Sequence, residues 1–252
     1  MPDGPGSHSS ILRSARTTAV RPSGRESQIL AREVHHRVKN NLQVLASLLR
    51  LQADQSRHPG VKRALEEAVS RISVMATLHA QLHEGHDRVR VDMKPFVTTL
   101  VENLRRTLAH PSAAVRLSLR LDAFSLPIAL ATPCGLLINE MVTNAFRHAF
   151  PGSTPGTIEV KAGEDAGVVT IAVRDSGPGL PGSARLESKS FGLRLIQLLA
   201  TRQLRGHVSI TNLHGVQWVV RFPTRSRGVD ASGTAHPRDD TRRQSRRPPR
   251  YS

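Results

Sequence analysis

Two adjacent histidines, His35 and His36, lie within the segment EVHHRVKNNL at residues 33–42. Apolar residues recur around them at spacings of four and three, which predicts one stripe along a helix: Leu30, Val34, Val38, Leu42, Leu45 and Leu49. At about 100° per residue, His36 and Asn40 point away from this stripe, and His35 lies near its edge. A neutral imidazole held on the open face of a helix can act as a nucleophile near pH 7. The alternative interpretation is a solvated histidine on a polar helix face.

A second group of polar residues interrupts the apolar segment 136–150. Glu140, Asn144 and His148 are spaced at i, i+4 and i+8, which places them in one line along a helix. A carboxylate and a carboxamide so placed could hold a hydrated Mg²⁺, because that ion prefers hard oxygen ligands and keeps several waters. Arg147 could contact a phosphate. The alternative is a helix whose polar edge faces solvent, which suits His148 better than Glu140 and Asn144.

A third region begins with the sequence DSGPG at 175–179, directly after a predicted strand at 168–174. Its glycines permit a tight turn and a close backbone approach to a ligand. Asp175 could accept a hydrogen bond from an exocyclic amine such as that of adenine. The sequence SFGL at 190–193 opens a predicted helix whose backbone N–H groups could bind phosphates, and residues 180–189 would form a short mobile lid. By itself, an Asp-x-Gly-x-Gly sequence is often only a turn.

The elements that must position these residues begin with two helices. The first is predicted from residue 26 to about residue 54, and the second follows a turn signal at 58–60. The second helix has its own apolar stripe: Val61, Leu65, Ala68, Ile72, Met75, Leu78 and Leu82. Joined by a short turn, the two helices predict an antiparallel hairpin. One hairpin cannot bury both stripes well, so we predict that two hairpins pair as a four-helix bundle in a homodimer.

After residue 88 the sequence pattern changes to mixed α and β. Helices are predicted at 95–108, at 132–149 and at about 191–202, with Thr132 as the N-cap and Pro133 as the first helical residue of the second one. Strands are predicted at 115–121, 157–162, 168–174, 207–211 and 217–222, with a connection at 163–167. The order α-β-α-β-β-α-β-β predicts a mixed sheet covered on one face by helices.

Composition narrows the class of protein. The 252-residue chain has a formal net charge of +16 and a single cysteine, Cys134. One cysteine excludes an internal disulfide framework and fits a reducing compartment. No apolar stretch of about 18 residues and no signal-peptide segment is present, so we predict a cytoplasmic protein without a membrane span.

Half of the net positive charge lies in the two ends of the chain. Residues 1–32 carry +3 and residues 224–252 carry +5. Both segments are too polar to pack, so we predict disordered ends, the second of them an Arg-rich tail. The alternative is a basic anchor for nucleic acid or an acidic membrane. Because aromatic residues hardly interleave with the arginines, we expect no specific nucleic-acid partner.

Together, the three regions resemble a known family. Residues 33–42 resemble the H box of HisKA_2-type sensor histidine kinases, whose pattern is close to H-H-R-V-K-N-N-L. Residues 136–150 resemble the N box, and 175–179 with 190–193 resemble the glycine boxes of the GHKL ATP-binding fold. The resemblance covers about residues 26–223. It implies an α+β protein, in which a helical hairpin for dimerisation and histidine phosphotransfer precedes an α/β-sandwich ATP-binding domain of the GHKL (Bergerat) type.

The resemblance divides the chain into four segments. They are a disordered segment at 1–25, the dimerisation and phosphotransfer hairpin at 26–86, the ATP-binding catalytic domain at 87–223, and the disordered tail at 224–252. Only about 25 residues precede the H box, too few for the sensor domain that such kinases commonly carry. We therefore expect a kinase without its own sensor, either constitutively active or controlled by a separate sensor protein.

The resemblance also implies a role for each matching residue. His36 would accept the phosphoryl group, Asn144 would ligate Mg²⁺, and Glu140 would act as a base or assist the water shell of the metal. The other matching residues would bind the nucleotide: Arg147 and His148 its phosphates or ribose, Asp175 its adenine in a pocket shaped by Gly177 and Gly179, and Ser190, Gly192 and Leu193 its phosphates. The chain departs from the family at 215–218, where GVQW replaces a usual Gly-Thr-x-Phe.

The implied function is that of a histidine autokinase in a two-component system. The γ-phosphate of ATP would pass to His36 and then to an aspartate on the receiver domain of a separate response regulator. The alternative is an ATP-independent dimeric phosphotransfer or scaffold protein whose ATPase fold has decayed.

Overall fold

The computed structural model describes residues 24–84, 90–108, 114–151, 154–179, 191–212 and 214–224. For residues 24–32, 35 and 82–84 it describes the backbone alone. The predicted lid at 180–189 and Ser190 lie outside the described residues, as do almost all of the two predicted disordered ends.

Two long helices form the N-terminal hairpin. Helix α1 spans Gly24–Gln55 and helix α2 spans Pro59–Glu84, and the two pack against each other as an antiparallel pair. The predicted turn is shorter than expected, because Pro59 and Gly60 belong to the first turn of α2. A proline fits there since its missing N–H would have no partner within the helix. In the part of the chain that the structure describes, no helix is long and apolar enough to cross a membrane.

The apolar stripe of α1 is only partly covered within the single chain. Val38, Leu42 and Leu49 are half-buried, whereas other large apolar side chains of α1 are about half exposed or more: Val34 at 55%, Val44 at 59%, Leu45 at 50%, Leu48 at 53% and Leu51 at 59%. The described part of one chain therefore leaves the core of the hairpin open on one side.

A five-stranded mixed sheet and two short strands follow the hairpin. The short strands, β1 (Arg90–Asp92) and β3 (Ser125–Pro127), pair antiparallel and were not predicted. The sheet contains the remaining strands: β2 (Val115–Leu121), β4 (Gly156–Asp165), β5 (Val168–Asp175), β6 (His207–Asn212) and β7 (Val216–Pro223). Their order is β2-β4-β5-β7-β6, in which β2 and β4 are parallel and the other neighbours are antiparallel.

Helices pack against the sheet to close the core. They are α3 (Met93–Leu108), α4 (Ile128–His148) and α5 (Phe191–Leu198), and α5 continues into a π-helical turn at Leu199–Gln203. Alternate residues of each strand point toward these helices, as the pleat of a sheet requires. Many large side chains of this core are at most 1% exposed, among them Phe96, Leu137, Ile138, Ile171 and Phe222. The predicted fold class, a helical hairpin followed by an α/β sandwich, is confirmed.

The start of α4 differs from the prediction. Thr132 and Pro133 do not open this helix, because it begins at Ile128 directly after β3, and Pro133 lies within it. Pro127 occupies the N-cap position with the extended angles φ −55° and ψ 146°. The Thr132 hydroxyl donates to the backbone oxygen of Ile128 at 2.9 Å. It therefore bonds back along the helix instead of capping it.

The connection between β4 and β5 is also shorter than predicted. Residues 163–165 belong to β4, and only Ala166 and Gly167 form the turn. Both have positive φ, at 47° and 78°. Two-residue hairpin turns commonly need such angles, because they match the twist of the flanking strands.

Candidate active site

His36 lies on an exposed face of α1. The side-chain nitrogen of Asn40, one helical turn later, is 3.2 Å from His36 Nδ1. The two side chains therefore share a helix face, as the helical periodicity predicts, and the contact at Nδ1 orients the imidazole ring. The side chain of His35 lies outside the described residues.

The N-box residues follow one another along α4, from its buried middle to its exposed end. Glu140 is only 6% exposed, Asn144 is half-buried and His148 is exposed. Gly192, in the first turn of α5, approaches this line closely. A Cβ at Gly192 would be 3.3 Å from Glu140 Oε2 and 3.8 Å from Asn144 Oδ1. The structure thus brings the N box and the second glycine box together.

A cavity of about 180 Å³ lies between α4, the end of β5 and the start of β7. Five predicted site residues line it: Asn144, His148, Asp175, Gly179 and Leu193. Its remaining walls were not predicted and are apolar: Ala145, Ala149, Val216 and Trp218. Two of them, Val216 and Trp218, belong to the GVQW sequence that departs from the family pattern. An apolar cavity with one acidic residue suits a purine ring.

Asp175 is buried at the end of β5 and is 5% exposed. Its Oδ1 atom accepts hydrogen bonds from the backbone N–H groups of Gly177 at 3.0 Å and Val216 at 3.2 Å. These two bonds fix the plane of the carboxylate and use one of its oxygens. The second oxygen, Oδ2, is then the one that could accept a hydrogen bond from an exocyclic amine.

The glycines after Asp175 allow the loop to pass close to its neighbours. A Cβ at Gly177 would lie 2.5 Å from the backbone oxygen of Ala149, at the end of α4. Gly179 has φ +84°, and a Cβ there would lie 2.1 Å from Asn212 Oδ1. Both positions therefore require glycine, the first for a close approach and the second for its backbone conformation as well.

A larger cleft of about 1290 Å³ adjoins the small cavity. Asn144 and His148 line both spaces, so the two are neighbours across these side chains. The cleft lies between the hairpin and α3, α4 and the start of α5, and four arginines line it: Arg50, Arg63, Arg106 and Arg147. Four acidic residues line it as well: Asp54, Glu66, Glu67 and Glu140. The charges of the cleft therefore balance, and its arginines are the groups that could contact phosphate. His36 lines neither the cleft nor the cavity.

Two N-box residues contact charged residues of α2. Arg71 donates from Nε to Glu140 Oε1 at 2.9 Å and from Nη2 to Glu140 Oε2 at 3.0 Å. Arg147 of α4 forms an ion pair with Glu67 of α2. Sequence reasoning missed both contacts. The spacing of four residues predicts that Glu67 and Arg71 share one face of α2. It does not indicate that this face contacts charged residues of α4.

The environment of Arg71 is partly buried, with 19% of its side chain exposed. Burial alone would lower the pKa of Arg71, but the hydrogen bond and the charge of Glu140, followed by those of Glu67, raise it above its usual value. The guanidinium carbon also lies 4.8 Å from the ring centre of Phe191, a cation–π distance. Arg71 therefore links the hairpin to both α4 and the start of α5.

The oxygens beside Gly192 fit a hydrated Mg²⁺. Glu140 offers a carboxylate and Asn144 a carboxamide oxygen, which are hard ligands of the type this ion takes. Among the described residues, no group of three or more His, Cys, Asp or Glu could hold a metal ion. An ion at this place would therefore complete its coordination with waters and with nucleotide phosphates.

Two protein families match adjoining parts of the sequence. HisKA_2, described as histidine kinase, matches residues 33–108. HATPase_c_2, described as a histidine kinase-like ATPase domain, matches residues 104–207. The first match covers the hairpin from residue 33 onward and α3. The second covers the N box and the lining of the small cavity except Val216 and Trp218.

Curated relatives carry the same description. The sensor histidine kinase PdtaS of Mycobacterium tuberculosis is 34% identical over 201 residues, which cover 78% of this chain and 40% of the relative. PdtaS of Mycolicibacterium smegmatis is 34% identical over 204 residues, which cover 79% and 40%. The chain thus spans about 40% of the length of these relatives.

A solved structure shows the same fold. The histidine kinase domain of the Erythrobacter litoralis EL346 blue-light activated histidine kinase superposes with a TM-score of 0.60. The match covers 77% of this chain and 90% of that domain, with 22% sequence identity. The hairpin followed by an α/β sandwich is therefore an arrangement that an experimental structure also contains.

Proposed function

The chain belongs to the histidine kinase family, and from that premise we propose that it is an ATP-dependent autokinase that phosphorylates His36. One observation carries the proposal: the small cavity joins Asp175, Asn144 and Leu193, which come from three separate regions of the sequence.

We also propose that the hairpin ends and the catalytic domain begins near residue 86. The pairing of β1, which begins at Arg90, with β3 of the catalytic domain supports this boundary.

We propose that the adenine of ATP binds in the small cavity. Asp175 Oδ2 would accept a hydrogen bond from the exocyclic amine, and Trp218 and Ala149 would cover the ring with apolar surface. The phosphates would then pass Asn144 and His148 into the larger cleft, where Arg147 would contact them. This direction follows from the two side chains that the cavity and the cleft share.

The N box would hold Mg²⁺ beside these phosphates. Asn144 would ligate the ion through its carboxamide oxygen, and Glu140 would hold one of the ion's waters or accept a proton. When bound, Mg²⁺ supplies positive charge that neutralises the transferring phosphoryl group. Gly192 and Leu193 would donate backbone N–H groups to the phosphates at the start of α5.

His36 would act as the nucleophile. Its neutral ring nitrogen would attack the γ-phosphorus in line, a nitrogen–phosphorus bond would form, and the bond to the β–γ bridging oxygen would break to release ADP. Because His36 lines neither cavity, the hairpin must move relative to the catalytic domain, or the histidine must come from a second copy of the chain.

The phosphoryl group would pass from His36 to an aspartate on the receiver domain of a response regulator. Two chains would pair through the exposed apolar residues of α1, and a separate sensor protein would control them. The cytoplasm remains the predicted location, since the chain's single cysteine, Cys134, is a free buried thiol that suits a reducing compartment.

The test is incubation of the purified chain with γ-labelled Mg-ATP. We expect label that is lost in acid and stable in alkali, that disappears in His36→Ala and that persists in His35→Ala. Asn144→Ala and Asp175→Asn should also lose most of the label. The first removes the proposed Mg²⁺ ligand, and the second removes the proposed acceptor for the adenine amine. Full labelling of His36→Ala would contradict the proposal. No labelling together with no ATP binding would instead favour a dimeric scaffold with a decayed ATPase fold.

A further inference from the structure

The contact between α2 and the N box involves charged side chains that the proposed reaction also needs. We propose that Glu67 and Arg71 form a latch, which occupies Arg147 and Glu140 in the resting kinase and must release them before His36 is phosphorylated. This inference rests on the proposed function and concerns regulation of the same site.

The first half of the latch occupies the N-box carboxylate. Both oxygens of Glu140 accept hydrogen bonds from Arg71, and Oε1 also accepts one from the side chain of Asn139 at 3.2 Å. A bidentate guanidinium–carboxylate pair is the strongest common hydrogen-bonded ion pair in proteins. While it persists, three of the roughly four acceptor positions of the carboxylate are used and its charge is neutralised. Glu140 is then a weaker base and a weaker partner for a metal-bound water.

The second half of the latch occupies the N-box arginine. Arg147 pairs with Glu67, so the guanidinium proposed to contact phosphate is already neutralised by a carboxylate of α2. Ser70, which comes between Glu67 and Arg71 in the sequence, donates from its hydroxyl to Asn139 Oδ1 of α4 at 2.7 Å. On one face of α2, Glu67 therefore lies opposite Arg147 of α4, and Arg71 lies opposite Glu140 of α4.

The four charges have a second way to pair. Glu67 and Arg71 are one helical turn apart, and Arg71 Nη2 already lies 3.5 Å from Glu67 Oε2. When nucleotide phosphates attract Arg147 and a metal attracts Glu140, the two α2 residues can pair with each other. No charge is left buried and unpaired in either arrangement, which is the condition for a low-cost exchange.

The latch also contacts the second glycine box. Arg71 lies over the ring of Phe191, and the next residue, Gly192, lies against Glu140 and Asn144. With α2 seated in this way, His36 lines neither nucleotide space. The described arrangement therefore combines an occupied N box with a phosphoacceptor that lies outside both nucleotide spaces, which is what a resting kinase requires.

The test compares the full chain with three latch variants. Arg71→Ala removes the bidentate pair and should raise the initial rate of His36 phosphorylation about five- to tenfold, within the usual range of coupling between sites. Arg71→Lys should give a smaller increase, because an ammonium group cannot hold both carboxylate oxygens in the same fork. Glu67→Gln should lower the KM for ATP severalfold by freeing Arg147.

The matched control is Arg105→Ala on α3. It removes an exposed ion pair with Glu102, of 2.9 Å, far from the N box in sequence, and should leave both the rate and the KM unchanged. Because Arg71→Ala leaves the Glu140 charge without its partner and can unfold the domain, thermal unfolding is measured for each variant. Glu67→Gln leaves the Arg71–Glu140 pair in place and keeps the latch testable.

The outcomes separate the latch from the proposed function. If the unaltered chain labels His36, and the folded Arg71 and Glu67 variants are unchanged or slower, the latch is wrong and the kinase proposal stands. A slower Arg71→Ala that Arg71→Lys restores would make Arg71 a support for Glu140 in catalysis and would also overturn the latch. Phosphorylation that appears only in the latch variants supports both proposals. Absence of labelling and nucleotide binding from every variant overturns both.

Discussion

The hairpin and the catalytic domain bury their apolar residues to very different extents. In the catalytic domain large core side chains such as Phe96 and Phe222 are at most 1% exposed. In α1 the large side chains Leu45, Leu48 and Leu51 are between 50% and 59% exposed. Both regions are regular in structure, so the difference lies in what covers their apolar surface.

This difference indicates two sources of stability. The catalytic domain closes its own core between a sheet and its helices, and it can hold a ligand site at fixed distances. The hairpin leaves much of one face open. A second apolar surface on that face would stabilise it by roughly 1.5–3 kcal/mol for each large apolar side chain that becomes fully buried. Phosphotransfer needs both kinds of element, a rigid nucleotide site and a histidine on a helix pair that can move or associate.

The largest expected effect is on association through the hairpin. Replacing both Leu45 and Leu48 by Asp places two charges in the predicted dimer interface and should raise the dimer dissociation constant at least ~100-fold. The control is Leu198→Asp on α5, which alters a side chain of similar exposure, 49%, outside the hairpin. Sedimentation should show monomers for the double variant and dimers for the control. Dimers in the double variant would place the interface elsewhere.

The second effect is on the affinity of the proposed nucleotide site alone. Asp175→Asn keeps Oδ1 for the two backbone N–H groups but replaces Oδ2 by a donor, which faces the adenine amine unfavourably. ADP should bind about 10- to 100-fold more weakly, the equivalent of one lost hydrogen bond to a charged group. Asp165→Asn, at the exposed end of β4, is the control. Calorimetric titration measures both, and equal affinities would remove Asp175 from adenine recognition.

The smallest effect is on stability, where a glycine-to-alanine substitution should change the free energy of unfolding in opposite directions in the two regions. Gly177→Ala brings a Cβ within 2.5 Å of the Ala149 backbone oxygen and should lower the free energy of unfolding by about 1–3 kcal/mol. Gly60→Ala in α2 meets nothing within 4 Å and should raise it by about 0.5–1 kcal/mol. Denaturant unfolding tests both values, and a neutral Gly177→Ala would show that the loop can move away.

The elements with regular periodicity were predictable from the sequence. The hairpin follows from stripes repeated over many turns, and β2 follows from strict alternation in VRLSLRL. The short strands β1 and β3 were missed, since three residues carry no measurable period. The start of α4 was misplaced because Thr132 and Pro133 form a sequence typical of a helix start, while β3 and Pro127 actually determine where the helix begins.

The candidate site was predictable only where residue types are unusual for their element. Glu140 and Asn144 are conspicuous among Leu, Ile and Met, and Asp175 stands at the end of a strand before glycines. The apolar walls of the small cavity carry no such signal, because Ala149 and Val216 resemble any core residue. Arg71 was missed for a different reason: its partner lies 69 residues away on another helix.

The most direct test of the account is to locate the phosphoryl group within the chain. The full chain is incubated with Mg-ATP, digested at alkaline pH and analysed by mass spectrometry, beside an Asn144→Ala chain. We predict phosphorylation of the hairpin at His36 in the first sample and none in the second. Phosphorylation at another residue, or at His36 in both samples, would contradict transfer from a nucleotide held by the N box to this histidine.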